Sequence, residues 1–187
     1  MDNKSDLENN YNKVNFWWVN HSQTYEKERD QGLMWSPKLR KDGRYNKFYE
    51  NMTKVKIGDI VFSFAESVIG AMGIITMPSK ETPRPSNHGE IQDEWGKIGW
   101  GVGVEWTLLD EPFKPKDYFD LLQPLLPETH APLTKNGTGA QGAYLASIST
   151  ELGELLLNIS GDKQSIFDNS KEIIATHEED KIEDQIK

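Results

Sequence analysis

Two short apolar runs separated by two polar residues place the strongest constraint on how this chain can fold. The runs are Ile60–Ala65 and Val68–Ile75, and only Glu66 and Ser67 lie between them. Both are too short for independent helices and rich in β-branched and aromatic residues, which is typical of two strands joined by a tight turn. Because the apolar residues are nearly continuous rather than alternating, we expect both strands to be buried on both faces. This hairpin is predicted to form the centre of a small curled sheet.

The second of these runs contains two glycines, Gly70 and Gly73. A glycine weakens the interior of a strand, and it usually marks a bulge or a close approach by another backbone or a ligand. We therefore expect local irregularity or tight packing at both positions.

Shorter signals along the chain predict the remaining elements. Further strands are expected at Phe16–Val19, Leu33–Pro37, Trp100–Leu109 and Tyr144–Ile148. Helices are expected after Ser22 or Thr24 up to Gly32, within Tyr45–Met52, at Pro115–Leu122, and after a cap at Ser149 or Thr150. Residues 78–99 are rich in proline and glycine and predict one long loop.

The charge of the chain is unevenly distributed. The 187 residues carry a net charge of −9, and much of it lies at the two ends. The prediction is therefore a flexible leader at residues 1–13, one domain at residues 14–160, and an acidic tail or linker at residues 161–187.

Several functional classes are disfavoured by what the sequence lacks. Without cysteine there is no disulfide, thiolate metal site or cysteine nucleophile, and the four histidines are too dispersed to form a metal-ligand pattern. Gly137–Gly142 matches a dinucleotide-binding glycine pattern but lacks the preceding strand and following helix, so a turn is favoured there. No apolar run is long enough to span a membrane, and no secretory signal is recognisable. We expect a cytoplasmic binding protein without cofactor, metal or catalytic residues.

A basic segment that directly follows a tryptophan points to a nucleic-acid partner. Residues 38–56 contain seven basic and two acidic residues and directly follow Trp35. Such a segment is most often a solvated face, but positive charge beside exposed aromatic rings is also how nucleic-acid binders attract phosphates and stack bases. The predicted phosphate-binding residues are Lys38, Arg40, Lys41 and Arg44. Trp17, Trp18 and Trp106 lie inside predicted strands and are expected in the core, whereas Trp95 lies in the polar loop.

Three stretches of the sequence resemble a known group of proteins. Leu33–Pro37 is similar to the Trp-x-Ser/Thr segment of YTH domains, and Val55–Ile74 is similar to the central hairpin of EVE and YTH domains. Glu94–Trp106 resembles the YTH loop and strand that carry two tryptophans five residues apart, as Trp95 and Trp100 are here. The chain thus resembles the PUA-like superfamily, and within it the EVE and YTH domains.

The resemblance implies an α+β fold, a curled sheet or open barrel flanked by short helices. It also implies a pocket for a flipped, modified base. Trp35, Trp95 and Trp100 would be its aromatic walls, and Asn20, Ser36 and Tyr25 would make further base contacts.

The amino-acid sequence around Trp17–Tyr25 and Trp35–Lys38 also resembles specificity domains of modification-dependent restriction enzymes. This implies a reader of methylated DNA that targets a defence effector, either a nuclease or a nucleotide-driven motor. Two alternatives stay open: a reader of modified RNA, and a small nuclease or hydrolase that uses Asp59 or Glu105.

Overall fold

The computed structural model describes residues 14–21, 25–85 and 96–187, and they form six strands and five helices. The first half contains β1 (Phe16–Asn20), α1 (Tyr25–Asp30), β2 (Leu33–Pro37), α2 (Lys47–Asn51), β3 (Ile60–Ala65) and β4 (Val68–Pro83). The second half contains β5 (Ile98–Phe113), α3 (Phe119–Leu122), β6 (Leu145–Ile148), α4 (Thr150–Ser160) and α5 (Lys163–Ile186). Two 3₁₀ turns, Pro115–Tyr118 and Gln123–Leu125, flank α3.

All six strands belong to one sheet, in the order β2-β5-β4-β3-β1-β6. β1 pairs with β3 in parallel, and the other neighbouring pairs are antiparallel. The sheet curls into a half-barrel with short helices around it, so the predicted α+β class with a curled sheet is confirmed.

Alternate residues of the central strands enter two different cores. Phe16 and Trp18 of β1 belong to one apolar cluster, while Trp17 and Val19 belong to another. This follows from the two-residue repeat of a strand, which points successive side chains to opposite faces. The predicted two-sided burial of the central hairpin is confirmed, and so is the expectation that Trp17 and Trp18 are core residues.

The two cores lie on opposite sides of the sheet. The outer core is covered by α4 and the start of α5, which contribute Leu152, Leu156, Leu157, Ile166 and Phe167. The inner core includes Met34 from one edge strand and Leu145 from the other, together with Met52 and Val55 after α2. Because residues of both edge strands share one cluster, the curl brings the two edges of the sheet toward each other.

The segment after Gly161, predicted as an acidic tail or linker, is helical. Residues 163–186 form α5, and Ile166, Phe167 and Ser170 in its first turns are buried. The Ser170 hydroxyl donates a hydrogen bond to the carbonyl of Gly58 at 2.6 Å, which fixes the helix to the turn before β3. In the sequence, the apolar residues that dock this helix lie among many charged residues, so their pattern did not predict a docked helix.

The long loop predicted at residues 78–99 is partly wrong. β4 continues to Pro83 and β5 begins at Ile98, with Pro83 paired to Ile98 and Glu81 paired to Trp100. Residues 86–95, including Trp95, lie outside the described residues, as do Ser22 and Thr24, the predicted helix caps. The two long strands therefore extend the β4–β5 ribbon well beyond the central hairpin.

The two glycines of β4 have different roles. One forms a bulge and the other allows close packing, so both of the expected kinds of site are confirmed. Ser63 pairs with Ala71 and Phe64 pairs with Ile69, so Gly70 is the extra residue of a bulge. At Gly73, a Cβ atom would lie 2.7 Å from the ring of Trp106. Gly73 is therefore required by close packing, whereas a Cβ at Gly70 would meet only Arg29, at 3.9 Å.

The replacement Gly73→Ala is expected to destabilise the fold by about 1–3 kcal/mol, because the added methyl group overpacks the inner face against Trp106. Gly70→Ala is the matched control and should change the free energy of unfolding by no more than about 0.5 kcal/mol. Urea unfolding followed by tryptophan fluorescence measures both values. Equal losses at the two positions would contradict the assigned packing.

Candidate nucleic-acid interface

A groove with basic and aromatic walls lies between the segment that leads into α2 and the loop before β6. Its volume is roughly 910 Å³. We call it the basic groove, and its lining residues are Arg40, Lys41, Asp42, Tyr45, Asn46, Lys47, Phe48, Tyr49, His130, Gln141 and Gly142. Positive groups outnumber negative ones along it.

The cations of the groove are held by neighbouring carboxylates. Arg40 lies 3.6 Å from a carboxylate oxygen of Asp42, and Lys47 lies 3.0 Å from Glu50. These are exposed pairs, which contribute little to stability and exchange readily with other anions. The pairs keep these two basic side chains at the groove.

Only part of the predicted phosphate-binding set lines this groove. Arg40 and Lys41 do, whereas Lys38 and Arg44 are not among its lining residues. The Lys38 ammonium group pairs with Glu81 and lies 4.5 Å from the centroid of the Trp100 ring. Arg44 lies 3.9 Å from Asp42, which does line the groove.

Aromatic rings alternate with the basic residues of the groove. The Asn46 side chain accepts hydrogen bonds from the backbone of Phe48 and Tyr49, which caps α2. Phe48 meets His130 edge to face, with 5.8 Å between ring centroids. Tyr45 is 60% exposed, and the hydrogen bond that its hydroxyl donates to Glu50 raises the pKa of this phenol. The groove thus presents a neutral, solvent-exposed ring beside positive charge.

The aromatic part of this groove was missed by sequence reasoning, which treated Tyr45–Met52 only as a helical turn. The available signal was the interleaving of basic and aromatic residues from Arg44 to Tyr49. The contribution of His130 and Gln141 follows only from the fold, since they are distant in sequence.

Trp35 does not lie open to solvent as the predicted cage required. Trp35 is only 5% exposed, and its indole N–H donates a hydrogen bond to the carbonyl of Thr82 at 3.0 Å. The ring lies against Gly99, where a Cβ would approach it to 2.6 Å, and the guanidinium of Arg84 lies 5.9 Å from its centroid. Trp35 is therefore a packing residue in this structure.

Trp35 and Trp100 point to opposite faces of the β2–β5 ribbon. The register pairs Ser36 with Trp100 and Trp35 with Gly101, and paired residues share a face. Trp100 is half-buried and packs on the inner core with Val102. The two rings consequently cannot form facing walls of one pocket in this arrangement.

The predicted polar contacts are used within the protein. The Asn20 amide donates to the carbonyl of Pro132 at 2.8 Å, and its oxygen accepts from the indole of Trp18 at 2.7 Å. Ser36 is 1% exposed and donates to the carbonyl of Pro37 at 3.0 Å. In this structure, Asn20 fixes the loop before β6 to the end of β1 and does not present a free base-reading edge.

Tyr25 lies away from the basic groove. It lines a separate cleft of roughly 370 Å³ with Arg29, Gly70 and Leu108, at the end of the β3–β4 hairpin where Glu66 forms the turn. The guanidinium of Arg29 lies 4.7 Å from the centroid of the Tyr25 ring. The structure therefore does not bring Tyr25 together with the other predicted base contacts.

A buried polar cluster closes the gap between the two edges of the sheet. The backbone N–H of Trp35 in β2 donates to the hydroxyl of Tyr144 at 3.2 Å and to Glu28 at 3.3 Å. The Tyr144 hydroxyl donates to the same Glu28 oxygen at 3.1 Å, and His21 faces the other oxygen at 3.1 Å. We call His21, Glu28, Ser63 and Tyr144 the seam cluster, because Tyr144 directly precedes β6 and thus links the edge strands.

The two carboxylates considered for catalysis differ in environment. Asp59 is 1% exposed and accepts hydrogen bonds from Asn15 N–H, Lys56 N–H and the indole of Trp17, so it orders the turn before β3. Glu105 is exposed on β5. Within residues 14–21, 25–85 and 96–187, no group of three or more His, Asp or Glu side chains is arranged to hold a metal ion. No helix in this part of the chain is long and apolar enough to cross a bilayer.

The replacement Trp35→Ala is expected to lower the free energy of unfolding by about 3–5 kcal/mol, because it removes a buried ring and leaves a cavity against Gly99. Tyr45→Ala, at an exposed ring, should change it by no more than about 1 kcal/mol. Chemical unfolding of both variants makes the comparison. A mild loss at Trp35 would mean that the ring is open to solvent, as the sequence had predicted.

Comparison with known proteins identifies the fold. No protein-family model matches the sequence, and no curated protein sequence does. A hypothetical protein from Leishmania major aligns with a TM-score of 0.54 and 9% identity, over 82% of this chain and 99% of that chain. The YTH domain-containing protein mmi1, solved as an RNA complex, aligns with a TM-score of 0.51 and 9% identity, over 80% and 83% of the two chains.

A second YTH domain gives a similar result. The YTH domain of the Zygosaccharomyces rouxii MRB1 protein, solved in complex with N6-methyladenosine RNA, aligns with a TM-score of 0.50 and 10% identity, over 79% of this chain and 87% of that chain. At such identities the likeness shows the fold alone. The chain therefore has the curled, six-stranded α+β architecture found in YTH domains.

Proposed function

We propose that this protein is a nucleic-acid-binding module that recognises a modified base. The observation that carries the proposal is the basic groove, in which Arg40, Lys41 and Lys47 lie beside the exposed ring of Tyr45. Positive charge attracts the phosphate backbone, and aromatic rings stack unpaired bases. The fold supports the proposal, since it is shared with YTH domains solved as complexes with RNA.

The energetics require more than a methyl contact. Extruding a base from a duplex costs a few kcal/mol, and stacking on an aromatic ring returns about 1–3 kcal/mol. Burying the methyl group itself adds about 0.8 kcal/mol. Selectivity therefore depends on closely spaced walls that an unmodified base fills poorly.

The location of the base pocket is part of the proposal. Phosphates are assigned to Arg40 and Lys41, and a neighbouring base is assigned to Tyr45. Trp95 and Trp100 remain candidate walls for the modified base, whereas buried Trp35 is assigned a packing role. Lys38 and Arg44 are assigned to the flanking backbone at the rim.

The proposal also extends to the kind of nucleic acid that is bound and to the protein partner. The resemblance to specificity domains of restriction enzymes favours methylated DNA, with an effector nuclease or a nucleotide-driven motor as the partner. Modified RNA is the second candidate, favoured by the YTH domains solved with RNA. The module itself is proposed to bind and not to catalyse.

Four matched oligonucleotides test this function: DNA and RNA of one sequence, each with and without a methylated adenine, with methylated cytosine as a second series. We expect tighter binding to one modified strand than to its unmodified match in fluorescence anisotropy titrations. Equal affinity for every modified and unmodified pair would reject the reader function. If the protein cleaves any strand in the presence of Mg²⁺, and Asp59→Ala or Glu105→Ala abolishes this cleavage, then the protein is a nuclease and not a reader.

Tyr45→Ala should weaken binding about 5- to 150-fold, which corresponds to the loss of one stacked base. The ring is exposed, so the variant should stay folded. Tyr118→Ala is the control, because Tyr118 is 37% exposed and lies outside the basic groove against Phe113. Comparable losses for the two variants would show that Tyr45 is not a stacking residue.

Arg40→Ala and Lys41→Ala should each weaken modified and unmodified strands about equally. Each should also reduce the slope of log affinity against log salt by roughly one, because one phosphate contact is lost. Lys116→Ala, an exposed lysine outside the groove, should leave the slope unchanged. A loss confined to modified strands would mean that these side chains contact the base and not the backbone.

A further inference from the structure

The open side of the half-barrel is closed by side chains and not by a strand ladder. β2 and β6 are the two edges of the sheet, and the curl turns them toward one inner core. Trp35 N–H on β2 is satisfied by Tyr144, the residue immediately before β6, and by Glu28 of α1. The phenol of Tyr144 and the carboxylate of Glu28 therefore link the two edges of the sheet beside Trp35.

We propose that Tyr144 and Glu28 are specificity-determining positioning residues of the modified-base site. This rests on the proposed function. They fix the separation between β2, which carries Trp35 and Ser36, and the loop before β6, which forms one wall of the basic groove. They act through other residues and are not assigned a direct contact with the ligand.

The seam cluster is connected to the groove by short covalent and hydrogen-bonded steps. Gly142, which lines the groove, lies two residues before Tyr144. The backbone N–H of Asn20 donates to the Tyr144 carbonyl at 2.9 Å, and Asn51 of α2 donates to the Leu145 carbonyl at 2.9 Å. A shift of Tyr144 would thus move the groove wall, the end of β1 and the helix that carries Tyr49.

The cost of this cluster indicates a role beyond stability. Glu28 is 2% exposed and His21 is 8% exposed, and His21 also bonds Ser63 at 2.8 Å. Burial, with the nearby Glu28 charge, raises the pKa of Tyr144 well above its ordinary value, so the phenol stays protonated and continues to donate. Buried polar groups of this kind are often replaceable by apolar residues without loss of stability. Their geometric precision is what an apolar replacement would not supply.

Tyr144→Phe tests the proposal by removing a single oxygen atom. The ratio of affinities for modified and unmodified oligonucleotides should fall about fivefold, the effect of one lost positioning hydrogen bond. The affinity for the unmodified strand should fall less than the affinity for the modified strand, and its salt slope should remain as in the wild type, because the cationic side chains are unchanged. Glu28→Gln should lower the same ratio in the same direction, and it decides the matter if Tyr144→Phe does not fold.

Asp59→Asn provides the matched control, as an equally buried carboxylate with three donors but at the turn before β3. It should lower stability and leave the ratio unchanged when all variants are measured well below their melting temperatures. Wild-type protein without any selectivity would reject the proposed function. A selective wild type whose ratio survives in both seam variants, or is lost equally in Asp59→Asn, would overturn the positioning role alone.

Discussion

Two-sided burial of the central strands is the constraint on which the rest of this structure depends. Successive residues of β1 and β3 alternate between the outer and inner cores, so a shift of one residue would exchange the two sets. Asp59 adds a polar lock at the start of β3, because it binds backbone and indole donors from the segment around β1. The register of the centre is thereby fixed, and the positions of the two sheet edges follow from it.

The features on which the proposed function rests lie at the edges of the sheet. The inner core turns β2 and β6 toward each other, and α2, capped by Asn46, lies beside β6 and contributes Phe48 and Tyr49 to the basic groove. In the proposed function, charge in the groove attracts the phosphates of any nucleic acid and carries no information about the base. Selectivity for a modified base would then have to come from the spacing of the walls, which we propose that the seam cluster sets.

Local patterns predicted the hairpin and most short elements, because those depend on neighbouring residues. The β3 bounds, Leu33–Pro37 and the cap at Ser149 agree with the structure. The extension of β4 to Pro83 did not follow from the sequence, since prolines and charges favoured a loop and only pairing with β5 stabilises a strand there. Likewise, the burial of Trp35 depends on Gly99, and the docking of α5 depends on a few apolar residues among many charges.

The central claim, that nucleic acid lies in the basic groove, is tested most directly by NMR mapping of backbone amides. Titration with a modified oligonucleotide should perturb signals from Arg40 to Tyr49 and from His130 to Tyr144. The unmodified strand should perturb the basic residues similarly but affect the residues around Tyr144 less. Perturbations confined to α4 and α5, on the opposite face of the sheet, would contradict the account.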